Sequence, residues 1–364
     1  MTNTKRPVAA ASDRLQCVSF ATRILSSFRH SSLNRCQRSK LSALAMTTWA
    51  IHRLLFTASL VATVPVCAHA QQPNDSPPTA EAGVTVRVAA VSFVPEKFDL
   101  EGNADRLERG FSQAAEGGAK IAVGPEGALD GYVVNQIIAG EYPPEKMNQA
   151  AVTLDHPVIQ RFQRLARELS MCLAFGLAER IGEDVYNCAV FIDHNGKICG
   201  KYHKMHFAEG YDPAWWYNRL GKQSRAFDTP FGRCGIMICA DRWHPQLAQI
   251  PVLDGARFLL IPAQGSRRKT QDDAVLNRGR ENGVPVVEAN VGVTLVVNQG
   301  EIVALDRNEE GVTFGEISIP PATDANPMER DRVESEFLQW RDKEMKKRLQ
   351  RTLKKLQKKS EGKP

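Results

Sequence analysis

The sequence predicts an α/β layered domain, and two observations carry that prediction. From Val84 onward, short apolar runs of strand length alternate with stretches whose apolar residues recur every three or four positions. No segment repeats and no linker interrupts the pattern as far as Ile319, so strands and helices mix within one body.

Taken in order, VTVRVAAVSF from Val84 is a strand. Asn103 to Ala115 carries Ala104, Leu107, Phe111 and Ala114 at helical spacing. KIAVGPE is a buried strand that ends abruptly. Asp155 is positioned to cap the helix HPVIQRFQRLAREL, with Pro157 in its first turn and Val158, Phe162, Leu165 and Leu169 on one face. Strands follow at MCLAFGLAER, VYNCAVFID and KICGKYHK, with Asn195-Gly196 as the hairpin turn between the last two. FDTPFGRCGIMIC is a second hairpin-like pair. A helix near Pro245–Leu253, the strand RFLLIPAQ, a helix through Ala274–Asn282 and the strand VPVVEANVG come next. TLVVNQGEIVAL turns about Gln299-Gly300, and VTFGEISI closes the sheet.

The two ends differ from this body. Residues 1–70 hold nine Lys/Arg and one acid, Asp13; residues 329–364 hold thirteen Lys/Arg and seven acids. The formal charge of +6 therefore belongs to the ends, and the acidic middle argues against nucleic acid as a partner. Met46 opens a secretory signal peptide: Arg53, an apolar run from Leu54 to Val66, then Ala68-His69-Ala70 before Gln71. Met46 is the expected true start and export the expected fate, with an uncleaved anchor or acylation at Cys67 as alternatives. A Pro-rich linker occupies 71–83, the folded domain 84–320, and a basic helical tail 321–364. In that tail Val333, Phe337, Trp340, Leu349, Leu353 and Leu356 share a stripe, so a solvated face or peripheral contact with an anionic surface follows. Removing the presequence leaves Cys172, Cys188, Cys199, Cys234 and Cys239, an odd number, at spacings unlike a zinc site.

Cys239 stands at the end of the apolar run GIMIC, where the chain turns polar. A nucleophilic thiol needs a base for its proton and a fixed positive centre for the developing oxyanion. Glu126 follows a buried strand directly, and partial desolvation suits a carboxylate there to accept a proton. Lys204 ends another strand between His203 and His206, where its ammonium can neutralise an oxyanion and help keep the thiolate formed. Singly each has an ordinary explanation; jointly, three strand ends offer acid, ammonium and thiol.

PEGALDGY, KYHKMH, CADRWHP and the later RGRENGVPVVEANVG resemble, in order and spacing, the motifs of the nitrilase or carbon–nitrogen hydrolase superfamily. The resemblance runs from about Val84 to Ile319 and implies a four-layer α-β-β-α sandwich, usually dimerised through its helical layers. It implies Glu126 as general base, Lys204 as oxyanion stabiliser, Cys239 as nucleophile, and the Ala240 N–H in the oxyanion hole. Glu209 is the candidate second glutamate. No metal or cofactor is implied. Ala240-Asp241 after the cysteine, in place of Trp-Glu, favour amides or N-carbamoyl groups over nitriles. Tyr132, Trp215, Trp216, Tyr217, His244 and the Gln264–Arg268 loop are the candidate substrate contacts. The chain departs from the pattern at Gly124, where an aromatic is usual and a softer pocket wall would follow, and at Gln246, where glutamate is usual and a looser contact behind the nucleophile would follow. Acyl transfer on the same triad and a non-catalytic binding protein are the competing readings.

Overall fold

The computed structural model describes residues 83–361. The expected presequence and all but the last residue of the linker lie outside them.

The described chain begins with β1 (Val84–Ser92), α1 (Leu100–Glu116) and β2 (Ile121–Val123). Two short helices, α2 (Val134–Ile138) and α3 (Met147–Ala150), precede α4 (Pro157–Leu169). Then come β3 (Cys172–Ile181), β4 (Asp184–Ile192), β5 (Ile198–His203), β6 (Phe227–Thr229) and β7 (Gly232–Ile236). The second half continues through α5 (Pro245–Leu253), β8 (Phe258–Ala263), α6 (Lys269–Asn282), β9 (Val286–Asn290), β10 (Val293–Asn298), β11 (Glu301–Asp306), β12 (Gly311–Ile319) and α7 (Pro327–Glu361).

The strands form two six-stranded sheets, ordered β12-β1-β2-β3-β4-β5 and β11-β10-β9-β8-β7-β6. In each, two parallel pairings lie among three antiparallel ones: β1–β2 and β2–β3 in the first, β7–β8 and β8–β9 in the second. The chain thus repeats a topology that no residue period reveals, because strand pairing constrains polarity pattern and not residue identity. β12 leaves the sheet of β10 and β11 and pairs with β1, from Val84↔Ile319 to Ser92↔Gly311.

Strand alternation assigns the layers. Val86, Val88 and Ala90 face the core between the sheets, where they join Ile236, Leu260 and Val287. Ala89 and Val91 point the other way, onto Leu107 and Phe111 of α1 and Phe162 of α4. α5 and α6 cover the opposite sheet through Leu247, Ile250 and Val275, which gives the α-β-β-α order. α1 starts earlier than its apolar spacing predicts, at Leu100, because the Asp99 carboxylate accepts from the Gly102 N–H at 3.1 Å. α4 is capped by His156, whose Nδ1 accepts from the Val158 N–H; Asp155, the expected cap, instead bonds the Thr153 hydroxyl. α7 buries Val333, Phe337, Met345 and Leu349 and packs along α5, while Leu353 of the expected stripe is exposed. Among the described residues no helix is long and apolar enough to cross a membrane.

Candidate active site

Three strand ends converge. After β2 the chain turns through Gly124 and Pro125 to Glu126, which is fully buried. The turn lies flat on β3: a Cβ at Gly176 would come 2.6 Å from the Glu126 Cα, so only glycine admits this approach. Lys204 follows β5 directly and is 1% exposed. Cys239 lies three residues beyond β7, where it opens a 3₁₀ turn, Cys239–Trp243, with φ of +47°. Asp241 fastens that turn. Its Oδ2 accepts from the Ile238 N–H and the Tyr202 hydroxyl, each at 2.9 Å, and its Oδ1 accepts from the His206 N–H at 2.9 Å. One buried carboxylate therefore ties the cysteine turn to the lysine segment.

Lys204 Nζ donates to Glu126 Oε1 at 2.6 Å, and Asn187 Nδ2 donates to the same oxygen at 2.7 Å. Glu126 Oε2 accepts from the Gln264 N–H at 3.0 Å. Burial disfavours the Lys204 ammonium, but the Glu126 carboxylate, with Cys239, Glu209 and Asp241 behind it, holds its pKa above the usual lysine range. Burial, then Glu126, push the Cys239 thiol up to about 11, against the weaker pull of Lys204, Arg242 and the Gln264 N–H. Sequence analysis expected Lys204 to help keep the thiolate formed; burial and Glu126 weigh against it and favour the protonated thiol.

Glu209 belongs to the same group. It is buried, and its Oε1 accepts from the Tyr132 hydroxyl at 3.3 Å and from Asn218 Nδ2 at 3.4 Å. The Lys204 ammonium stands 5.3 Å from the centre of the Tyr132 ring. Burial raises the Glu209 pKa and Lys204 opposes it.

Residues 87–327 match the family model of the carbon–nitrogen hydrolases. The chain belongs to the carbon–nitrogen hydrolase family. An N-carbamoylputrescine amidase of Oryza sativa subsp. japonica is 30% identical over 247 residues, 64% of this chain and 77% of its own. A citrullinase of Francisella tularensis is 31% identical over 188 residues, 50% of this chain and 61% of its own. The crystal structure of an amidase from Nesterenkonia sp. superposes with a TM-score of 0.55 at 20% identity, covering 71% of this chain and 98% of that one, and shows the shared fold. This chain is accordingly an enzyme acting on carbon–nitrogen bonds other than peptide bonds.

This carbon–nitrogen hydrolase arranges the other expected contacts unevenly. Tyr132 lies in the site, as just described. Gln264 contributes through its backbone, and its Oε1 is buried without a partner. Trp215, Trp216 and Tyr217 pack with Val133, Val134, Ile137 and Met147 in a satellite core against α2 and α3. They plug that side of the body, with Tyr217 near enough to feel Glu209. His244 turns toward α7, its ring 4.1 Å from His206 and 4.7 Å from Trp340.

The two departures resolve differently from expectation. A Cβ at Gly124 would meet Leu107, Phe175 and Phe111, so this position faces the core under α1 and leaves the pocket wall alone. Gln246 is exposed on the first turn of α5 rather than buried behind Cys239.

Sequence reasoning passed over Asn187, Arg242 and Asp130, and took Gly265 only as part of the Gln264–Arg268 loop. Asn187 sits mid-strand in β4. Arg242 is fully buried, paired with Glu288 of β9. Gly265 packs against the sulfur itself: a Cβ there would lie 2.9 Å from Cys239 Sγ. Asp130 accepts from the Tyr132 and Ala178 N–H groups and so pins the glutamate loop to β3. The adjacency of Arg242 to Cys239 was the one available signal; the others depend on non-local contacts.

The five described cysteines are unpaired with one another. Glu179, Cys188 and His203 bring a carboxylate, a thiol and an imidazole within 4.8 Å of one another. That carboxylate is already bonded to Lys201 Nζ and His203 Nε2, each at 2.5 Å, so its charge is answered without an ion.

Proposed function

We propose that the protein is an exported thiol amidohydrolase that cleaves an amide or N-carbamoyl group through a Cys239 thioester. The observation that carries the reading is the buried meeting of Lys204, Glu126 and Cys239, with a thiol protonated at rest beside the carboxylate. Cys239 attacks the carbonyl carbon while its proton passes to Glu126. The displaced electron pair moves to the oxygen, which rests on Lys204 Nζ and the Ala240 N–H. As the tetrahedral intermediate collapses, the C–N bond breaks and Glu126 returns the proton to the departing nitrogen. Water then gives a proton to Glu126 and attacks the thioester. The C–S bond breaks, Cys239 regains its proton, and a carboxylic acid leaves. From an N-carbamoyl substrate the product is carbamic acid, which falls to CO₂ and ammonia.

Glu209 positions that water. Its buried carboxylate between Tyr132 and Asn218, in the field of Lys204, supports the assignment. The names of the rice and Francisella relatives support the carbamoyl branch. The signal-peptide pattern of residues 46–70 supports export, and the family resemblance supports a homodimer.

The test is ammonia release by residues 71–364 over primary amides, N-carbamoyl amino acids, N-carbamoyl amines and nitriles, with Cys239→Ala beside it. Release lost in the variant is expected, and the panel selects the branch. Turnover that survives in Cys239→Ala would overturn the reading.

A further inference from the structure

We propose that α7, which begins where the family match ends, is a working part of the active site: its Met345–Leu349 turn holds the Phe207–Tyr211 loop so that Glu209 faces Lys204. The proposal rests on the assignment of Glu209 to the water-handling step. The excursion from Lys204 to Ala226 spans the whole gap between β5 and β6 and contains no strand or helix. Segments of this length need fastening from elsewhere. The side-chain bonds of Glu209, at 3.3–3.5 Å, are long and hold the carboxylate loosely. Its backbone must therefore be set by what packs against it.

What packs against it is α7. The Tyr211 N–H donates to the Met345 carbonyl at 3.2 Å. Gly210, at φ +93°, lies so close that a Cβ would come 2.1 Å from the Leu349 nitrogen. Met345 is 1% exposed and shares a small core with Phe207 and Leu220, one from each limb of the excursion. Arg341 Nη1 donates to the Gly221 carbonyl at 2.7 Å, and the Gly221 N–H donates to the Lys204 carbonyl at 2.8 Å. Both limbs are thus tied to one helix, and one tie reaches the catalytic lysine through a single residue. Met345 and Leu349 touch the loop at Tyr211, Gly210 and Phe207 and not at Glu209 itself, so they are positioning residues.

The test compares Met345→Ala and Leu349→Ala with Glu209→Gln in the 71–364 chain, following thioester formation and hydrolysis separately by rapid quench and intact mass. We expect Met345→Ala to lower kcat at least tenfold, with acyl-enzyme accumulating and Cys239 alkylation by iodoacetamide within twofold of wild type. Met345→Leu should restore turnover. The double variant Met345→Ala/Glu209→Gln should be no slower than Glu209→Gln alone, since both act on one step. Leu349→Ala, at the other end of the contact, serves if Met345→Ala does not fold. Formation and hydrolysis slowed equally, or losses that multiply in the double variant, would overturn the proposal. Wild-type turnover in Met345→Ala beside a slow Glu209→Gln would overturn it alone; wild-type turnover in Glu209→Gln would remove the glutamate's role and the proposal together.

Discussion

Gly265 leaves room for the sulfur of Cys239. A methyl group on Gly265 would lie 2.9 Å from Sγ, inside any real carbon–sulfur contact. The sulfur can yield by rotating about its own Cα–Cβ bond, but that rotation moves the proposed nucleophile off line. A displacement of about 1 Å at a reacting atom costs on the order of 100-fold in rate. Gly265→Ala should therefore lose between tenfold and a thousandfold in kcat/KM while melting within a few degrees of wild type. Steady-state kinetics beside a thermal melt reads both, and an unchanged kcat/KM would show that the site absorbs the methyl without cost.

The resting state of the thiol is the next consequence. With a pKa of about 11, Cys239 is almost wholly protonated at neutral pH, so its thiolate fraction rises about tenfold per pH unit until the pKa is neared. Alkylation of the free enzyme by iodoacetamide should climb through pH 7, 8 and 9 without a plateau. Glu126→Gln removes a charge that raises the thiol, so the variant should alkylate faster at pH 8. It should also lose at least about a thousandfold in turnover, in keeping with the loss of a general base. A plateau below pH 8 would mean a preformed thiolate.

Arg242 and Glu288 are an ion pair enclosed on all sides. Gln271 Nε2 also donates to Glu288, and Arg278 Nη1 donates to the Arg242 carbonyl at 3.1 Å. Burial, with the Asp272 charge adding to it, pushes the Glu288 carboxyl up to about 7 despite its arginine. Arg242→Met leaves that carboxylate buried without its cation, at a cost of about 3–5 kcal/mol. Urea unfolding should show this loss, and Arg242→Met/Glu288→Leu should recover much of it, because the stranded charge is gone. A single variant as stable as wild type would place water or another cation beside Glu288.

His206 and His244 set an acid limit on stability. Burial first, then His244 and nearby cations, depress His206 to about 2; burial, then Arg348 and Arg278, depress His244 to about 4, both from 6.5. Both stay neutral in the fold and take up protons when unfolded. The unfolded chain therefore binds more protons between the folded values and 6.5, and stability declines as pH falls through that window. One such group contributes a slope of up to about 1.4 kcal/mol per pH unit. His244→Phe should keep a ring against Trp340 and flatten the fall in melting temperature between pH 6.5 and 4. An unaltered slope would assign the acid limit to other groups.

Much of this site was legible in residue order. Glu126, Lys204 and Cys239 each terminate or shortly follow an apolar strand, and parallel strands bring such ends to one edge. The elements were legible for the same reason, since α1 and α4 carry a helical period and β1, β3, β4 and β8 are apolar runs of strand length. Less legible was anything set by a neighbour remote in sequence. The direction of Gly124 depends on Leu107 and Phe175. The cap of α4 went to His156 because Asp155 found Thr153 first. Asn187 becomes part of the site only because β4 pairs between β3 and β5.

By itself the sequence determined the layered α/β class, the three candidate groups Glu126, Lys204 and Cys239 and their order, because apolar period and strand-end chemistry are local. Tertiary structure alone decided which groups share a charge. It placed the Gln264 N–H and the Asn187 amide on Glu126, Arg242 on Glu288, and α7 on the loop of Glu209. The physical reason is burial. A carboxylate or ammonium removed from water takes its protonation state from whichever partners the fold sets within a few ångströms, and those partners come from strands and helices far apart in the chain.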